Sequence, residues 1–74
     1  MSNQPQLAVC VHNDGYAASL EVRKIYRVLP DPGAAAAHIL RVVDESGEDY
    51  LYPEDYFVML DLPVAVRDTL LAVA

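Results

Sequence analysis

The sequence predicts a mainly β domain: a small five-stranded barrel with a short 3-10 turn before the last strand and a C-terminal α-helix. Three observations carry this. Arg41 to Leu60 (RVVDESGEDYLYPEDYFVML) reads as a β-hairpin, a proline-led turn and one more short strand. Two earlier runs, Leu7–Val11 and Lys24–Leu29, are apolar, β-branched or aromatic, as strands tend to be. Leu62, Val66, Leu70 and Val73 fall at spacings of four, four and three, which makes one apolar helical stripe.

Each element has a local cause. The first strand, LAVCV, ends at His12-Asn13-Asp14-Gly15, where Gly accepts positive φ and Asn and Asp tolerate it. Tyr16–Arg23 continues as an irregular or extended arm. Strand Lys24–Leu29 is broken by Pro30-Asp31-Pro32-Gly33, in which Asp31 suits an N-cap and Pro32 the first helical position. Ala34–Ala37 can extend this into one or two turns. Ile39–Asp44 is the next strand, with Leu40 and Val42 on one face and Arg41 on the other. Glu45-Ser46-Gly47-Glu48 is the hairpin connection, with Gly47 the positive-φ residue. Asp49–Tyr52 returns, and Pro53 stops it because proline has no N–H for a ladder. Glu54-Asp55-Tyr56 forms one tight turn before the strand Phe57–Leu60. Asp61 and Pro63 then open the last helix, with Arg67 and Asp68 free to face water.

Seventy-four residues make one domain, with the barrel over 7–60 and the helix over 62–73. A core this small contributes roughly 3–5 kcal/mol unless a disulfide, a metal or self-association helps. The single Cys10 forms no intrachain disulfide. With 54% hydrophobic residues the chain is too apolar to be disordered, and it has apolar surface left for another subunit. No secretory signal is visible in MSNQPQ and no apolar window spans a membrane, so a reducing cytoplasm is expected.

Eleven acids face five bases, a formal charge of −6. Asp44, Glu45, Glu48, Asp49, Glu54 and Asp55 lie in a stretch without Lys or Arg, which repels phosphates, so nucleic acid is not an expected partner. Arg23, Lys24 and Arg27 cluster at one strand but make only a weak basic patch.

Ser19–Lys24 followed by Ile25–Leu29 resembles the segment of Src-homology-3-type (SH3-like) domains that follows their long acidic loop. Tyr52-Pro53-Glu54-Asp55-Tyr56-Phe57-Val58 resembles their closing motif, with Phe57 as one extra residue between the Tyr and the Val. The likeness spans about Leu7–Leu60 and implies an SH3-like barrel. The chain also resembles small, uncharacterised bacterial proteins with a similar DESGEDYLYP stretch, a likeness that implies a fold and no activity. In the Src-homology-3 family the groove for proline-rich peptides is lined by aromatics, a Pro and loop acids. The resemblance places Pro53 and Tyr56 in that groove and Asp14 and Glu21 in the acidic arm. The chain has no Trp, so the largest flat ring on which a polyproline helix rests is missing.

The aromatic cluster Tyr50, Tyr52, Tyr56 and Phe57 is the leading functional feature. If Leu51 faces the core, Tyr50 and Tyr52 lie together on the opposite face. Tyrosines favour interfaces, and cross-strand packing is the alternative reading. The acidic hairpin lacks EF-hand spacing, and a solvated hairpin that guards an edge explains it. Cys10, His12 and His38 are too few for a zinc site, and no group completes a Cys–His nucleophile. No metal or cofactor and no catalysis are therefore expected. The leading reading is a protein-interaction module. Its partner-binding residues are Tyr50, Tyr52, Pro53 and Tyr56 with Asp14 and Glu21, set against a basic or apolar protein segment. A structural homo-oligomer is the alternative, with a nucleic-acid-associated protein or a small enzyme further behind.

Overall fold

The structure, a computed structural model, describes residues 6–73. Residues 1–5 and 74, part of the single expected domain, lie outside the described residues, as does the Val73 side chain. In chain order the elements are β1 (Gln6–Cys10), β2 (Ile25–Leu29), α1 (Pro32–Ala36), β3 (Ile39–Val43), β4 (Asp49–Pro53), a 3-10 turn (Glu54–Tyr56), β5 (Phe57–Met59) and α2 (Val64–Val73). The five strands form one antiparallel sheet in the order β4-β3-β2-β1-β5. The sheet is curled into a half-barrel, and the expected fold class holds.

Local chemistry sets the boundaries. The Asp31 carboxylate accepts the Ala34 N–H at 3.0 Å, capping α1 with Pro32 inside its first turn. In the β3–β4 hairpin, Gly47 sits at φ +83° and its N–H donates to the Asp44 carbonyl. A Cβ there would meet nothing within 4 Å, so only the left-handed backbone resists replacement. Gly47→Ala is therefore expected to cost about 1–2 kcal/mol, read from a denaturant midpoint. β1 is one residue earlier than the sequence suggests, because Val11 N–H leaves the ladder to donate to the Tyr56 carbonyl.

Alternation along each strand separates two faces. The concave face carries Ala8, Cys10, Tyr26, Val28, Val42, Tyr52 and Phe57, joined by Leu20 from the arm between β1 and β2. Leu20 acts as a plug: the Asn13 side-chain amide donates to its carbonyl and its own N–H donates to Tyr16. The convex face carries Leu7 and Arg27 opposite each other, and α2 covers them. The Arg27 guanidinium donates to the Leu71 carbonyl at 2.9 Å.

Two expected orientations are reversed. Leu51 faces outward at 37% exposure, and Tyr52 is the inward residue of β4. On α2, Arg67 turns toward the body of the protein while Val66 remains 46% exposed. The long aliphatic stem of arginine covers apolar surface while its head stays hydrated, which makes this inward position tolerable.

Candidate functional site

Five rings make a continuous edge-to-face chain. His12 meets Tyr56 at 4.9 Å between centroids, Tyr56 meets Tyr16 at 5.9 Å, Tyr16 meets Tyr52 at 4.9 Å and Tyr52 meets Tyr50 at 5.3 Å. Such geometry sets the positive edge of one ring against the negative face of the next, worth about 0.5–1.5 kcal/mol per pair beyond burial. The Asn-Asp-Gly turn makes the chain possible. It reverses the backbone between His12 and Tyr16, with Tyr16 N–H donating to the Asn13 carbonyl and Gly15 at φ +83°.

Tyr52 is the buried centre of this chain, only 1% exposed. Its hydroxyl donates to the Asp44 carboxylate at 2.6 Å and lies 3.0 Å from Ser19 Oγ. Burial, then the neighbouring Asp44 carboxylate, push the Tyr52 phenol up. Burial alone would raise Asp44 as well, but hydrogen bonds from Ser46 and Tyr52 outweigh it and hold the carboxyl below its ordinary value. Tyr52 therefore offers a partner no ring surface, and its place in the expected binding set is corrected to that of a core anchor.

Tyr50 and Tyr56 remain accessible, Tyr50 at 57% exposure and Tyr56 half-buried. The Tyr56 hydroxyl donates to the Asp14 carbonyl at 2.9 Å, and the Asp14 carboxylate reaches His12 Nε2 at 3.1 Å. Asp14 therefore joins the aromatic face through both backbone and side chain. Pro53 is half-buried at the entry to the 3-10 turn, where Glu54 N–H donates to the His38 carbonyl.

Glu21 belongs to a second cluster. Its N–H donates to the Tyr26 hydroxyl at 2.8 Å, and that hydroxyl donates to Glu45 at 2.6 Å. Lys24 Nζ also holds Glu45, at 2.6 Å. Burial, then Glu45, push the Tyr26 phenol up, while Lys24 and then Tyr26 hold Glu45 down. These bonds clasp the arm to the β3–β4 hairpin.

Tyr16 and His12 are the members of the face that sequence reasoning missed. Their signal was present, since a tight turn flanked by two rings folds both onto one side. Cys10 does not join His12 as a ligand pair: its buried thiol donates to the His12 carbonyl at 3.2 Å, while the imidazole pairs outward with Asp14. Among the described residues, no three His, Cys, Asp or Glu side chains converge as a metal cluster, and no helix is long and apolar enough to cross a membrane. The chain matches no family model, no curated protein and no solved structure with which it was compared.

Proposed function

We propose that this protein is a non-catalytic protein-interaction module of SH3-like type, working in the cytoplasm, whose aromatic-acidic face captures a basic or apolar protein segment. The observation that carries the reading is the ring chain His12–Tyr56–Tyr16–Tyr52–Tyr50. It is ordered before any partner arrives, so little side-chain entropy remains to be lost on binding. The face is built from two stretches, residues 6–22 and 42–66, that contain no Lys or Arg. A cationic side chain laid on such rings gains from their quadrupoles and from Asp14 together.

The reading predicts loss of capture in a His12→Ala/Tyr50→Ala double variant, both residues being exposed. The assay is retention of lysate protein on immobilised chain, with circular dichroism confirming that the variant folds. Equal retention by native chain and variant would move the site off this face.

A further inference from the structure

The sheet order leaves β4 and β5 at its two edges, each with one side of its backbone turned away from the other strands. In an antiparallel pair, residues that exchange N–H···O bonds alternate with residues that do not, and the second kind point their N–H and C=O outward. Two bonds flanking the β3–β4 ladder fix its phase. Asp44 N–H donates to the Glu48 carbonyl at 3.1 Å, and Glu54 N–H donates to the His38 carbonyl at 3.1 Å. Both share the phase that sets Val42 opposite Tyr50 and Leu40 opposite Tyr52. Tyr50 and Tyr52 therefore bond to β3, whereas Asp49, Leu51 and Pro53 present their backbone groups to the open side.

This edge is rich in acceptors and poor in donors. The carbonyls of Asp49, Leu51 and Pro53 face out, but Pro53 has no N–H and the Asp49 N–H turns to its own carboxylate. Among the described residues, the Leu51 N–H is the donor left over on this side. Asp49, Tyr50 and Leu51 are all exposed, so the edge is open to solvent. β5 is a poorer edge, three residues long, with its Phe57 N–H already closing the 3-10 turn on the Glu54 carbonyl.

We propose that the β4 edge holds the partner as an added β-strand that carries Lys or Arg at alternate positions, an inference that rests on the interaction-module reading and gives its partner a conformation. An extended segment supplies an N–H to the outward carbonyls and a carbonyl to Leu51. Its side chains then divide by face. Those beside Tyr50 meet a ring at 57% exposure and the exposed Glu48, which the same alternation puts on the Tyr50 face. A cation there gains from both. Those beside Leu51 meet an exposed apolar side chain. The acids also argue against a second copy as occupant. Another β4 would bring its own Glu48 and Asp49 to an edge that already carries both, and its donor-poor backbone would leave outward carbonyls unmatched. The acids thus guard the edge against self-pairing while admitting a basic strand.

The probe is a capped heptapeptide alternating Lys and Val, with a Glu-Val heptapeptide as the control of opposite charge. In the full chain alone, the Leu51 amide should exchange with solvent faster than those of Tyr50 and Tyr52, which β3 protects. Saturating Lys-Val peptide is expected to slow Leu51 exchange, and the Glu-Val peptide to leave it unchanged. Leu51→Pro removes the donor at an edge position where proline is tolerated. Circular dichroism should stay native while affinity for the Lys-Val peptide falls about tenfold. Leu51→Ala keeps the donor and should bind as the native chain does. A Leu51 amide left unprotected by the Lys-Val peptide overturns the proposal, as does native affinity in Leu51→Pro or equal binding of the Glu-Val peptide. The exchange measurement uses the native chain, so it decides the matter even where Leu51→Pro unfolds. If the strand mode fails while His12→Ala/Tyr50→Ala still loses lysate capture, the aromatic face stands without it.

Discussion

Tyr52→Ala is expected to leave the chain unfolded at room temperature, whereas Tyr52→Phe keeps the fold at a loss of about 1–1.5 kcal/mol. The two numbers separate what the ring does from what the hydroxyl does. Removing a fully buried aromatic ring costs about 3–5 kcal/mol, the same size as the whole net stability of a core this small. Tyr52 is among the largest fully buried side chains, and Tyr16, Tyr50 and Phe57 all pack on its ring. The phenylalanine variant keeps those contacts. It removes only the donor to Asp44, whose carboxylate is half-exposed and can turn to water. Chemical denaturation of both variants checks the split. A folded Tyr52→Ala chain with native stability would show that the ring chain does not rest on this residue.

The same residue shows where the sequence stops being informative. Strand limits were legible to within a residue because they are local: Pro53 is the last residue of β4 rather than the first beyond it, Gly47 accepts positive φ, and Asp31 with Pro32 opens α1. The phase of β4 was not. Tyr50, Leu51 and Tyr52 are all apolar enough to face inward, so a period of two leaves two solutions. Asp44, which accepts from the Tyr52 hydroxyl, and Ser19, whose Oγ lies 3.0 Å from it, select between them, and neither adjoins it in sequence. Helix α2 was placed correctly in the chain but rotated wrongly, because its stripe does not say which part of it meets the sheet. The candidate face was half legible: Tyr50, Tyr56 and Asp14 came from composition and resemblance. Tyr16 and His12 required knowing that the first turn brings them against the 3-10 turn.

Acid should dismantle the molecule at the clasp between arm and hairpin. Asp44 and Glu45 each accept a tyrosine hydroxyl, and Asp31 and Asp49 hold the two sides of the Arg41 guanidinium at 2.8 and 2.7 Å. All four carboxyls lie below their ordinary values. At Asp44 burial is outweighed by Ser46 and then Tyr52, Lys24 and then Tyr26 act at Glu45, the Ala34 N–H and then Arg41 at Asp31, and Arg41 at Asp49. A carboxyl depressed in the folded state binds its proton more readily when unfolded. Its contribution is therefore complete above the unfolded value of about 4 and disappears as pH falls through the lower folded value. Each contribution is modest because these groups meet solvent. They fail over the same interval, however, and against a core of roughly 3–5 kcal/mol their joint loss is decisive. Denaturation midpoints are expected to be flat from neutral pH down to about pH 5 and to fall steeply below about pH 4. Lys24→Met with Arg41→Met should flatten that fall by removing the cations that depress Glu45, Asp31 and Asp49. An acid limb equally steep in the double variant would place the sensitivity in other carboxyls. The clasp also orders the arm that carries Tyr16 and Asp14, so the aromatic face should lose its ring geometry with the same pH midpoint.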